Sequence, residues 1–231
     1  MHLSVLSGGT VKDYQVRLAS IVEDFGAPQG GEAAVDVERY RGRVPDAVIE
    51  FWQQNGTGII LNGYFQFCDP DVYASIMKFV FDGDWQIDAE QTHVLGFGPF
   101  GTIIAWNEVY QNVTVDLVNG QVSCQALVNG KTYDPNIAVT SELMLLDSPT
   151  FDEYDAEAEK LFKPARSKLG KLGVGQIYGF RPILALGGNR ALASLTIYEA
   201  LPHMAILAQA HELQLMDNAP FPPQPVRVIG S

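Results

Sequence analysis

The sequence predicts an α+β fold in which N-terminal helices pack on an antiparallel sheet, followed by a smaller α+β region that can share that sheet. Three observations carry this. Apolar residues recur at helical spacing as far as residue 81, alternating segments joined by tight turns run from 93 to 128, and a second mixed set of helical and extended segments resumes beyond residue 150.

Residues 14–25 read as an amphipathic helix, with Leu18, Ile21, Val22 and Phe25 on one side and Gly26 placed to end it. A loop over 28–31 leads to a short helix over 35–40 stopped by Gly42. A third helix spans 45–54, with Pro45 at a first-turn position and Val48, Ile49, Phe51 and Trp52 on its buried side. Strand character over 59–67 is interrupted by Asn62-Gly63, a dipeptide suited to positive φ angles. Asp69 as cap and Pro70 at the first helical position open a helix through residue 81, expected to turn Val72, Ile76, Phe79 and Val80 inward. Three strands follow over 93–97, 102–106 and 113–118, and Asn119-Gly120 then hairpins into a strand over 121–128. Residues 143–146 are expected to add one more strand.

Ser148-Pro149 is the expected boundary, dividing the chain into 1–147, 148–218 and an irregular proline-rich tail over 219–231. Residues 152–169 read as a helix that Pro164 should kink or split. Extended pieces are expected over 176–180, 182–186 and 196–200, with Gly187-Gly188-Asn189 as a turn, and Pro202 opens an apolar helix to about 211.

The 231 residues are long enough to bury a core without disulfide or metal staples. Cys68 and Cys124 lie apart in apolar surroundings, and residues 1–9 lack a basic, apolar leader, so the expected compartment is the reducing cytoplasm. No run approaches the length of a transmembrane helix. A net charge of −12 opposes binding to nucleic acid or an anionic membrane and favours a basic partner. Residues 1–160 hold 24 acids against 8 bases, whereas 161–231 hold 3 against 7. Residues 132–159 alone carry eight acids and no Lys or Arg, read either as a solvated face or as an interaction surface.

Gly96-Phe97-Gly98-Pro99-Phe100-Gly101 matches the dinucleotide fingerprint, but a strand rather than a helix follows it and Pro99 removes an amide donor; a hairpin turn is expected. Gly187-Gly188-Asn189-Arg190 could form an anion nest, with a plain turn as the simpler reading. Asp82-x-Asp84 with Asp88 and Glu90 has Ile87 where a calcium loop needs Gly, so no metal site is expected. His203, among Met204, Ile206 and Leu207, reads as a hydrogen-bonded buried histidine. Nucleophile elbows and metal-binding histidine pairs are missing from the sequence, so neither catalysis nor a cofactor is expected.

Val22-Glu-Asp-Phe-Gly-Ala-Pro28, Val37-Glu-Arg-Tyr40, Val44-Pro-Asp-Ala-Val-Ile-Glu-Phe-Trp52, Gly56-Thr-Gly58, Gly63-Tyr-Phe65, Asp69-Pro-Asp-Val-Tyr73 and Phe100-Gly-Thr-Ile-Ile-Ala-Trp106 resemble the GAD-like domain. Leu169-Gly-Lys-Leu172, Ile177-Tyr-Gly-Phe-Arg-Pro-Ile-Leu-Ala-Leu-Gly-Gly188 and His203-Met-Ala-Ile-Leu-Ala-Gln209 are similar to the C-terminal domain that accompanies it in immunity proteins of bacterial type VI secretion. The resemblance implies a binder, without chemistry of its own, that neutralises an effector toxin, a DNase in known relatives, in the producing cell. It carries over no interface residue. Charge alone nominates two toxin-binding patches: Asp69, Asp71, Asp82, Asp84, Asp88 and Glu90, and then Asp152, Glu153, Asp155 and Glu157. The alternative is a small-ligand or nucleotide sensor using 96–101 or 187–190.

Overall fold

The computed structural model describes residues 12–31 and 34–230. It is an α+β molecule built on one nine-stranded sheet in the order β1-β2-β3-β4-β5-β6-β7-β10-β11, with a separate β8–β9 hairpin. Every pairing in the large sheet is antiparallel except β7 with β10.

Helix α1 (Asp13–Phe25) buries Tyr14, Leu18 and Ile21 and ends at Gly26, whose φ of 84° a residue with a side chain rarely adopts. Residues 29–30 form the short edge strand β1 (Gln29–Gly30) rather than a plain loop, and the second helix is a single tight turn, Val37–Tyr40. Helix α2 (Asp46–Asn55) starts after Pro45 and buries Val48, Ile49, Phe51 and Trp52 as expected. Strands β2 (Gly58–Ile60) and β3 (Phe65–Phe67) flank a turn in which Asn62 takes the left-handed conformation. Helix α3 (Pro70–Val80) is capped by the Asp69 carboxylate on the Asp71 amide at 3.0 Å. Its inward face is Tyr73, Ile76, Met77 and Val80; Val72 and Phe79 are 52% and 42% exposed, which corrects the expected face.

The meander β4 (Thr92–Phe97), β5 (Thr102–Asn107), β6 (Gln111–Asp116) and β7 (Gln121–Ser123) forms the middle of the sheet. Strands β4 and β5 are buried on both faces. A bulge between Val94 and Gly96 lets Leu95 and Phe97, two residues apart, pack into opposite cores. One core holds Leu95, Ile104 and Trp106 under α1, α2 and α5 (Pro135–Leu143); the other holds Ile103, Ala105 and Val115 under α3 and the C-terminal elements.

Beyond Ser123 the chain turns into a short helix, α4 (Gln125–Asn129), so the strand expected through 128 stops early. Residues 143–146 finish α5 and its turn rather than forming a strand. The helix expected over 152–169 is only α6 (Phe162–Leu169), and Pro164 sits in its first turn, where a missing amide costs nothing, instead of kinking a longer helix. Strands β8 (Gln176–Phe180) and β9 (Leu195–Glu199) pair with each other, and residues 184–186 form a tight helical turn where an extended piece was expected. Helix α7 (Ala200–Ala210) packs on α3.

The expected irregular tail is corrected as well. Strand β10 (Gln214–Asp217) pairs with β7, and β11 (Gln224–Val228) closes the sheet, with Pro225 opposite Met216 at a register shift on the outer edge, where no ladder donor is needed. One core consequently runs from Cys68 to Ile229.

Candidate functional site

The first nominated cluster is largely consumed by the fold. Asp69 caps α3, and Asp71 receives the Tyr40 hydroxyl at 2.6 Å and pairs with Arg39. Asp84 leaves the proposed surface altogether. Its side chain is 0% exposed, because it accepts from both terminal nitrogens of Arg227, at 2.6 and 3.0 Å, and from the amides of Gln86, Ile87 and Gly230. Burial alone would raise its pKa, but these donors outweigh it and hold the carboxyl well below the usual carboxylate range. Asp82 is exposed, Asp88 caps the turn over 89–91 while remaining exposed, and Glu90 reaches Lys78 at 3.4 Å. These three surround a shallow concavity of about 480 Å³ that also contains Trp85, 72% exposed and lying against the Arg227 guanidinium.

The second cluster divides in the same way. Asp152 accepts the amides of Leu161 and Phe162 and so caps α6, while Asp155 accepts those of Glu157 and Glu159. Glu153 is 4% exposed, bonded to Arg190 and to the Asn119 amide, and cannot be a surface contact. Burial, with the Asp116 charge adding to it, pushes Glu153 up to about 7 against the pull of Arg190. Only Glu157 in this set is an open carboxylate.

The nucleotide alternative finds no cradle. Gly98–Gly101 is the β4–β5 hairpin turn, closed by the Gly98 amide on the Thr102 carbonyl at 2.8 Å. Gly96 is needed for packing, since a Cβ there would fall 2.3 Å from the Gln66 carbonyl oxygen. At 187–190 the amides of Gly187 and Gly188 are spent on the carbonyls of Leu184 and Ile183, and Arg190 is spent on Glu153 and Asn119.

His203 is buried as expected, but its Nε2 finds no hydrogen-bond partner. The ring instead stacks on Tyr198, centroids 4.0 Å apart, and burial lowers its pKa. Sequence reasoning missed His93, which lies under Tyr40 and meets Glu108 at 2.8 Å. Both cysteines are free and buried, and burial drives the Cys124 thiol up to about 11, so it is a poor nucleophile. No helix among the described residues is long and apolar enough to cross a membrane.

The GAD-like domain family matches residues 16–119, and the C-terminal domain of the type VI secretion immunity protein Tdi1 matches residues 142–211. Among solved structures, that of Atu4351 from Agrobacterium tumefaciens superposes with a TM-score of 0.88 at 34% identity, covering 91% of this chain and 96% of that one. No curated protein sequence matches significantly. The two matched domains, in this order along the chain, place it in the GAD-like/Tdi1 family of type VI secretion immunity proteins.

Proposed function

We propose that this protein binds and neutralises a cognate effector toxin, a basic DNase, inside the producing cell, and performs no chemistry of its own. The likeness of residues 142–211 to the Tdi1 C-terminal domain carries the reading. Charge supports it independently, because a nuclease needs a basic surface for its substrate and a partner at −12 is drawn to that surface. Within the molecule, the concavity around Trp85 suits such a contact. Asp82, Asp88 and Glu90 supply the steering rim, and Trp85 is the type of exposed aromatic that anchors interfaces.

Co-expression with a candidate effector encoded by a neighbouring reading frame tests the function directly: toxicity should disappear and the pair should copurify. Growth arrest with no copurification would reject it. For the surface, Asp88→Lys combined with Glu90→Lys should slow association about 10-fold at low salt and flatten its salt dependence. Trp85→Ala should instead speed dissociation. Unchanged rates in both variants would remove this concavity from the interface.

A further inference from the structure

The helical layer ends at β6, and beyond it the sheet presents a polar row, Asn112 and Thr114 on β6 and Ser123 on β7, to a cavity of about 440 Å³ bounded by α4 and α5. Three polar groups in this cavity have capacity that the chain does not use. Asn112 donates its Nδ2 to the Ala138 carbonyl at 2.9 Å, but its buried Oδ1 has no partner. The buried Nε2 of Gln125 has none either. Glu142, half-buried, receives only a 3.5 Å bond from the Thr114 hydroxyl, and no cation pairs with it among the described residues; burial raises its pKa.

Native chains rarely leave such atoms unpaired, because a buried polar group without a partner has given up its hydrogen bonds to water for nothing. Two of them beside an uncompensated carboxyl describe the complement of a ligand. The cavity is also preorganised: Gln111, itself at a φ of 64°, clasps the Tyr133 backbone through both ends of its amide, at 2.7 and 3.0 Å, and so fixes the rim. Ile137, Ala138 and Leu145 supply apolar wall for a methylene stem, and the exposed Tyr133 ring offers a face to a planar cation.

We propose that this cavity receives an arginine side chain of the bound effector, the guanidinium meeting Glu142 and Asn112 and the main-chain carbonyl of that arginine accepting from Gln125. The assignment rests on the effector-binding reading above. A guanidinium is favoured over an ammonium because its planar fork can serve the carboxylate and the amide oxygen together.

Two measurements on the full chain test it. Titration with N-acetyl-L-arginine methylamide should shift the NMR signals of Asn112, Thr114 and Glu142 saturably, whereas the norleucine analogue should not. Glu142→Gln should weaken effector binding by at least about 30-fold with an unchanged circular dichroism spectrum. Lys131→Glu, an exposed change on the rim, should strengthen it. Unmoved signals together with unchanged affinity in both variants would mean that the cavity holds only water, and would overturn the proposal while leaving the immunity reading intact. A wild-type chain that does not bind the effector would overturn both.

Discussion

Asp84→Ala should destabilise the protein by about 3–5 kcal/mol, because it removes the anion that the largely buried Arg227 guanidinium pairs with among the described residues and strips three backbone amides of their acceptor. The loss should be concentrated at the sheet edge. Gly230 and both terminal nitrogens of Arg227 are tied to the turn after α3 through this carboxylate, so its removal loosens β11 on residues 84–87 and leaves the Arg227 Nε bond to Gln86 at 3.1 Å. Urea unfolding reads the total, and amide exchange over 224–228 should accelerate far more than exchange over 102–107. The pH dependence follows from the direction of the shift. With its folded pKa below the usual 3.8, Asp84 contributes stability that is present above that value and lost as pH falls through the folded pKa, so the wild-type advantage should shrink only in acid. A variant within about 1 kcal/mol of wild type at neutral pH would show that the clasp does not hold the edge.

Glu153→Gln should have the opposite sign. A carboxyl held at about 7 when folded, against an ordinary 4.5, binds its proton more tightly in the native state. Its contribution is complete below the ordinary value and is lost as pH rises through about 7. On the order of 3 kcal/mol is at stake over that interval. Glutamine keeps the shape and an acceptor for Arg190 while removing the charge, so the variant should match wild type in mild acid and exceed it in mild alkali. The buried His93 and His203, whose pKa values are lowered by burial, titrate in the opposite sense and are common to both proteins, so the difference between the two stability curves isolates Glu153. Parallel curves between about pH 5 and 8 would mean that Glu153 stays ionised throughout. Arg190→Ala should steepen the wild-type slope, because the cation that offsets burial is gone.

The elements that were legible in the sequence are those with local punctuation. Asp69-Pro70, Pro45 and Gly26 mark helix ends through backbone chemistry that needs no tertiary context, and α1, α2 and α3 fall where those residues put them. The buried face of α3 was not legible, because apolar residues surround most of that helix. Ile76 and Val80 belong equally to the expected face and to the real one, which adds Tyr73 and Met77. Residues 152–161 mislead for a different reason. Their short carboxylates favour capping turns over extending a helix, as Asp152 and Asp155 do here. The prolines of the tail suggested irregularity, yet an outer edge tolerates them.

The candidate site was less legible still, because a carboxylate's role depends on what lies opposite it. Asp84 and Glu153 look like their neighbours in sequence, and their partners Arg227 and Arg190 lie 143 and 37 positions away. No spacing rule connects them. The cavity beside β6 left no motif either. It exists because α5 stops short of β7, a matter of how far one layer reaches over another.

The position of β10 beside β7 has a consequence for timing. The strand that pairs with β7, and the arginine that neutralises Asp84 from 143 positions away, are both made only after the whole of the meander they join. Until then the nascent chain carries an open strand edge at β7 and an uncompensated carboxylate at Asp84, so the sheet and its clasp can close only once residues 214–230 have been made.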